Sequence, residues 1–551
     1  MIIPVSGTSQ PKTLMSCCGL AALLFSGCTL PEKVSGPTAH PTQTPQSVTT
    51  AAVRATNNEP LRFQLSFPVS ARSSAVSGRV LLFLSRQTQG EPRLSGMFGI
   101  DQMVYARDVT NWNPGTPIVF TPDQFRTPSA LAYPDRMTSL APGAYRVQAL
   151  IDQDNTQRDF NAGPGNLYSR AATCTLDGIR GGTITLAMTN VIATASPRDT
   201  EWVKYVEVHS RLLSKFHGRD TTLRAAVILP AHFTNKTDAR FPALYVVPGF
   251  GGRHTSASGW INSPAGARWK KGEVPLPMLR VVLDPDVPLG HSVFANSANN
   301  GPVGDALVQE LIPEIERRFR ALPQPQARFV TGHSSGGWSS LWLQVAYPDF
   351  FGGCWSTAPD PVDFRAFQTM NIYEDRNGHW TREGLPRPVA RRRDRVDFTF
   401  QQLNQLEYVL GYGGQLDSFN AVFSPRANDG TPMRLFDWKT GAIDSFVADS
   451  WRKYDISLIL QDHWKELGPK LQGKVHVWIG TIDTFRLEGA TMLLQDELKK
   501  LGSDADILIV EGRDHMNLGA PCPEHWPKGM MRRIHEEMWA AYQKEKAGSG
   551  K

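Results

Sequence analysis

The stretch from Ala327 to Ala346, ARFVTGHSSGGWSSLWLQVA, decides how the chain is read. Ala327 to Thr331 is a short run of strand character, while Trp338, Leu341, Trp342 and Val345 recur at i, i+3, i+4 and i+7, one face of a helix. Between them Gly332-His333-Ser334-Ser335-Gly336 has the form GxSxG, the sharp strand-to-helix turn that displays a nucleophilic serine. A serine hydroxyl is a weak nucleophile at its own pKa, so it needs a base in reach and N–H groups facing the developing oxyanion. Gly332 and Gly336 leave the room that such a turn requires. A plain glycine–serine loop is the competing reading, and the flanking strand and helix weigh against it.

In the α/β-hydrolase arrangement an acid and then a histidine follow the serine, each just after a later strand. Lys474 to Gly480, KVHVWIG, is a β-rich run leading into Thr481-Ile482-Asp483, which puts Asp483 at a strand's carboxyl end. Ala490 to Leu501 has a helical pattern that stops at Gly502. Ala505 to Val510 is another apolar strand and leads through Glu511-Gly512-Arg513-Asp514 to His515, the expected general base. A turn-capping aspartate and a solvated loop histidine are the bland readings. Neither accounts for serine, acid and histidine falling in this order at three successive strand ends. Asp514 and Glu511 stand as alternative acids. Upstream, Pro242 to Val247 runs into Pro248-Gly249-Phe250-Gly251-Gly252, a turn suited to offer one oxyanion N–H from Phe250 or Gly251, with Ser335 as the second donor.

These segments resemble the putative-esterase family of α/β-hydrolases, which holds feruloyl esterases, esterase D-like enzymes, mycolyltransferases and enterochelin esterases. The matching stretches are YVVPGFGG at Tyr245 to Gly252, QELIPEIERRFR at Gln309 to Arg320, the run from Gly332 to Gly353, and the late Asp483 and His515. The resemblance implies an eight-stranded, mostly parallel sheet and ester hydrolysis by Ser334, His515 and Asp483, with neither metal nor organic cofactor. It leaves the substrate open. Acylated carbohydrate, such as feruloyl or acetyl esters of plant polysaccharide, is the expected class. A siderophore ester, acyl transfer to a sugar, and a non-catalytic glycan-binding protein of the same fold are the alternatives.

A chain of 551 residues exceeds one compact domain, and 41% hydrophobic content permits sizeable cores. A net charge of +6 without a basic, aromatic-laced stripe excludes nucleic acid as an expected partner. The densest basic cluster, Arg387 to Arg395, reads as a solvated loop. At the amino terminus, Lys12, the apolar run Leu20 to Phe25 and Phe25-Ser26-Gly27-Cys28 read as an export signal ending in a lipobox. Residues 1–27 would be removed, and a lipid on Cys28 would tether the protein to a membrane in the periplasm or at the outer surface. Of the remaining cysteines, Cys354 and Cys522 are the candidate disulfide, with Cys174 left over. The cysteine spacing fits no zinc motif.

Residues 28–59, rich in Pro, Thr and Ser, read as a flexible tether. From 60 to 195, short β-like runs at Leu61–Val69, Gly78–Leu84, Pro117–Phe120, Tyr145–Ile151 and Thr183–Met188, separated by turn residues, predict an immunoglobulin-like β-sandwich. Residues 196–546 form the predicted α/β-hydrolase domain, opening with extended runs at Glu201–Leu213 and Thr222–Leu229. Asp305 to Arg320 reads as an amphipathic helix kinked at Pro313. An insertion at about 359–473 is longer than a crossover helix needs and is expected to wall or cover the site. Asn296, Asn299 and Asn300 after a strand, and Trp338 and Trp355 near the elbow, are candidate substrate contacts.

Overall fold

The computed structural model describes residues 59–548, except 88, 96–101, 128–129, 195, 234–237, 276 and 393–394. The predicted export signal, Cys28 and the tether up to residue 58 lie outside the described residues.

Eight strands build the sheet that carries the GxSxG turn: β1 (Val203–His209), β2 (Thr222–Ile228), β3 (Ala243–Val247), β4 (Leu279–Leu283), β5 (Arg328–His333), β6 (Gly353–Thr357), β7 (Val475–Gly480) and β8 (Asp506–Val510). Their spatial order is β1-β2-β4-β3-β5-β6-β7-β8. β2 runs antiparallel to both of its neighbours, and every later pairing is parallel. Parallel strands covered on both faces lose polar alternation, which explains why Ala243–Val247 and Leu279–Leu283 are buried at every position. This is the α/β-hydrolase sheet, and it puts the ends of β3, β5, β6, β7 and β8 along one edge.

The amino-terminal unit is a sandwich of a three-stranded and a seven-stranded sheet. Arg62–Ser66 lies between Ile118–Phe120 and Thr183–Ala187 in the smaller sheet. In the larger, Val76–Ser85 lies between Gln102–Trp112 and Gly143–Asp152. Residues on Val76–Ser85 alternate between two cores. Val80, Leu82 and Leu84 face the smaller sheet, whereas Leu81 and Phe83 join Val104, Ala106, Tyr133 and Leu150 in the same apolar core as the eight-stranded sheet. The β-unit is therefore packed into the second unit through a dry face, and the unbroken run Val80 to Leu84 is its sequence trace.

Several expectations need correction. The strand Gln102–Trp112, central in the larger sheet, was not expected, because its buried half and its exposed half, Arg107 to Asn111, cancel any single period. Glu201–Leu213 is not one extended run. It breaks after His209 into a helix, Arg211–His217, started by Ser210, whose Oγ accepts the Leu213 N–H. The helix through Pro313 stays continuous by widening to a π-turn at Leu307–Leu311, just before the residue that lacks an N–H. The insertion is a folded layer, with a hairpin (Pro388–Arg392, Arg395–Thr399) and helices Phe400–Leu410, Gln415–Phe423, Ser445–Ser450 and Ile456–Leu471. Its Phe364, Phe419, Phe423 and Trp451 belong to the main core. Cys354 and Cys522 are free and buried, and so is Cys174. Cys354 packs into the core shared with the β-unit and Cys522 into the core on the opposite face, so the sheet itself separates them.

Because the two units share one core, they are expected to unfold together. Phe83→Ala should lower the whole transition, costing about 3 to 5 kcal/mol for a buried phenylalanine. Calorimetry checks this: a single peak that shifts as a unit is expected, whereas two peaks with only one displaced would contradict the shared core.

Candidate active site

Ser334 ends β5 in a strained conformation, φ +60° and ψ −127°, outside the regions an L-residue ordinarily occupies. Its surroundings hold it there. The Ser334 N–H donates to the carbonyl of Thr357 at the end of β6 (3.0 Å), and its own carbonyl accepts from the N–H groups of Trp338 (3.0 Å) and Asp360 (3.2 Å). The helix α1 (Ser335–Ala346) starts at once, so the Ser335 N–H has no intrahelical acceptor. A Cβ on Gly336 would collide with the Val247 carbonyl, and one on Gly332 with the Gly336 carbonyl. Glycine is required at both positions by close approach of backbone to backbone.

His515, in the loop after β8, is buried, and Asp483, in the loop after β7, is fully buried. The His515 Nδ1 and the Asp483 Oδ2 lie 2.7 Å apart, and the other Asp483 oxygen accepts the Phe485 N–H (2.8 Å). Burial alone would push the Asp483 carboxyl up, but the charge and hydrogen bond of His515 outweigh it and hold it below the usual carboxylate range. Burial would likewise lower His515, and Asp483 reverses this, raising the imidazole above its ordinary 6.5. With Asp483 ionised, Nδ1 carries the proton and donates it, leaving Nε2 as the basic nitrogen. The His515 ring lies 4.4 Å, centroid to centroid, from that of His333, the residue before Ser334. Burial first, then His515, push His333 down to about 3, so this second imidazole stays neutral. Ser334 Oγ has no hydrogen bond among the described residues, as is common before substrate closes such a contact. Asp514 accepts the N–H groups of Met516 and Asn517 within its own turn, and Glu511 is exposed, so Asp483 is the carboxylate that meets the imidazole.

After β3, Gly249 to Gly252 form a tight turn closed by the Gly252 N–H on the Gly249 carbonyl (2.9 Å), with Gly251 at φ +85°. Phe250 and Gly251 occupy its corner, and neither N–H has a protein acceptor among the described residues. A Cβ on Gly249 would sit 3.4 Å from the Ser334 Cβ, so the turn runs directly past the elbow.

The five remaining substrate candidates make contacts within the fold. Asn296 accepts the Asp305 N–H (3.1 Å) at a helix start, and the backbone N–H of the buried Asn300 closes a hairpin by donating to Ser297 Oγ (2.9 Å). Asn299 ties that hairpin to the insertion through the carbonyls of Ala421 and Ser424. Trp338 is buried and stacks on Trp342 (5.2 Å) beneath α1, while Trp355 stacks on His476 (4.5 Å) and donates to Glu537. The two tryptophans lie in cores because their elements are covered on both faces, whereas Asn296 is exposed.

Sequence reasoning missed three groups around the elbow. Asp360, after β6, is buried and accepts from Ser335 Oγ (2.5 Å) and from Gln415 Nε2 (3.2 Å), and burial, only partly offset by Ser335, pushes it up to about 6. A carboxylate just past a strand end was a visible signal. Gln415, from the insertion, had none. Arg391 overturns the solvated-loop reading of its cluster: its Nε donates to the Asp483 carbonyl (3.0 Å) and it pairs with Glu488 (2.6 Å), pinning the acid's loop. Arg387 is also buried, whereas Arg392 is exposed and Arg393 lies outside the described residues. The β-unit contributes Arg158, whose guanidinium packs on Phe250. A cavity of about 370 Å³ lies at the junction of β-unit, sheet and insertion, lined by Arg79, Asp152, Gln157, Tyr408, Tyr412 and Arg434 among others, and Ser334 is not in its wall. Among the described residues no cluster of ligands suits a metal ion.

The Gly336→Ala substitution should destabilise the fold by at least about 3 kcal/mol, the upper range for overpacking. Gly259→Ala, with open space around the new methyl, should not. Urea denaturation of the two variants checks this contrast.

Solved structures similar to the chain include a ferulic acid esterase at 12% identity and TM-score 0.37, covering 62% of this chain and 98% of that one. They also include a ferulic acid esterase from Anaeromyces mucronatus in complex with ferulic acid, at 13% identity and TM-score 0.32, covering 63% and 93%. An S-formylglutathione hydrolase from Agrobacterium tumefaciens is similar at 14% identity and TM-score 0.34, covering 58% and 91%. No curated protein matches. Residues 218–544, well over half of the sequence, match the family described as Putative esterase, and the chain belongs to that family of ester hydrolases.

Proposed function

We propose that this esterase works through an acyl-enzyme on Ser334. His515 Nε2 takes the hydroxyl proton as Oγ attacks the ester carbonyl, and Asp483 holds the ring in the tautomer that leaves Nε2 free. The N–H groups of Ser335 and of Phe250 or Gly251 receive the oxyanion, the alcohol leaves with the proton from His515, and water then repeats the sequence to release the acid. The observation that carries this reading is the buried 2.7 Å pair of His515 and Asp483, packed against the residue next to a strained serine. A structural role for Ser334 explains neither the strain nor the histidine, since strain of this kind costs about 1 to 3 kcal/mol.

For substrate we propose an acylated carbohydrate, such as a feruloyl or acetyl ester of plant polysaccharide. The cavity bordered by Tyr408, Tyr412 and paired charges leaves space for a polar alcohol part, at the end of a segment, Gly411 to Gln415, that reaches the elbow. Export supports the same choice, because a polymeric ester is met outside the cell. Its support is the sequence Phe25-Ser26-Gly27-Cys28, and we propose a lipid anchor on Cys28.

Four outcomes test these readings. Ser334→Ala should abolish hydrolysis of p-nitrophenyl acetate and methyl ferulate, and equal rates in wild type and variant would leave only a binding function. Since His515 must be neutral to act, kcat/KM should rise with pH through a pKa above the usual 6.5. Asp483→Asn should move that limb to lower pH and reduce kcat by about 10⁴-fold, the scale for a wrong tautomer. Cys28→Ala should shift the protein from the membrane to the soluble fraction of expressing cells.

A further inference from the structure

The oxyanion turn is held by residues of the β-unit. Its two ends are anchored within the esterase sheet: the Pro248 carbonyl meets His291 Nε2 (3.0 Å), and Arg253 pairs with Asp284 (3.0 Å) beyond β4. Its corner is different. Gln157 and Arg158, consecutive residues of the β-unit, reach across to it. The Gln157 Oε1 accepts from Arg253 (2.6 Å), and the Arg158 guanidinium carbon lies 4.6 Å from the centre of the Phe250 ring, with Nη2 beside Gly251. Arg158 is itself fixed, because its Nε donates to Asp286 Oδ1 (2.8 Å) and the two side chains are only 11% and 3% exposed. A Cβ on Gly413, of the insertion, would collide with the Arg158 carbonyl, so the arginine is clamped from a third side. A flexible glycine turn that presents Phe250 and Gly251 N–H groups has no strand partner at its corner, and the guanidinium supplies the missing constraint.

We infer that Arg158 is a positioning residue for the oxyanion turn, so that the β-unit is a working part of the catalytic apparatus. This rests on the reading of Phe250 or Gly251 as an oxyanion donor. Loss of one donor costs about 10² to 10³ in turnover, and displacement of a reacting group by about 1 Å costs about 10². A donor left in place but loosely aimed should cost less than its full removal.

The test uses the full chain with p-nitrophenyl acetate and methyl ferulate, rates being expressed per site titrated with a fluorophosphonate. Arg158→Ala should lower kcat 10- to 100-fold, with KM changed less than about 3-fold and the acid limb of the pH profile unmoved, since His515 is untouched. Arg158→Lys keeps a cation for Asp286 without the flat face for Phe250 and should recover part of the rate. Phe250→Leu, which retains the backbone N–H and removes the ring under the guanidinium, should also lower kcat, and its effect should not add to that of Arg158→Ala. A kcat per titrated site equal to wild type in Arg158→Ala overturns the inference, whatever happens to its melting temperature. If that variant does not fold, an unchanged kcat in Phe250→Leu overturns it instead. Wild-type activity that survives Ser334→Ala would sink the underlying reading as well, so the two failures are told apart.

Discussion

A positive φ at Ser334 is the constraint on which the site depends. The residue holds it because β5 and β6 pair in register up to His333 and Thr357, after which the Thr357 carbonyl takes the Ser334 N–H while α1 and Asp360 take its carbonyl. Strain of about 1 to 3 kcal/mol persists only where the surroundings over-determine it, and here three hydrogen bonds and two glycine contacts do so. The consequence is chemical. The same turn that strains the backbone opens the Ser335 N–H at a helix start and stands Ser334 beside the loops that leave β7 and β8.

Electrostatics then divide the work among buried groups that differ mainly in their neighbours. His515 and His333 are both enclosed and nearly in contact, yet one is raised and the other pushed down to about 3. The difference is Asp483, which hydrogen-bonds to His515, whereas His333 meets the neutral Thr357 hydroxyl. A single carboxylate thus selects which imidazole is the more basic. Asp360, also buried but paired with hydroxyl and amide partners, rises to about 6 instead of falling.

The catalytic sheet was legible because parallel strands and crossover helices write strong local patterns: apolar runs of five or six residues, a helical period behind Gly336, and Gly502 after a helix. The serine, acid and histidine were legible because each sits at the end of such a run. What escaped were residues whose role is created only by tertiary packing. Gln415 and Arg158 sit in segments with no distinctive local pattern, Arg391 sits in a basic run that reads as solvated, and each touches the site through a contact 80 or more positions away in the chain. Trp338 and Trp355 failed in the opposite sense. Their proximity in sequence to the elbow suggested a pocket, but residues one turn beyond a buried turn, or one pleat along a central strand, point into a core.

The shared core gives these distant contacts their stiffness. Leu81 and Phe83 bind the β-unit to the esterase sheet through dry packing, which resists deformation, so Arg158 and Gln157 approach the oxyanion turn from a fixed base. The insertion acts in the same way on the other side, since Phe423 and Trp451 seat it in that core while Gln415 and Arg391 extend to the elbow and the acid loop. The space left where these two layers meet is the 370 Å³ cavity beside Tyr408 and Tyr412. The turn that passes Ser334 and the cavity are therefore bordered by the same two layers, so a substitution that shifts either layer alters both.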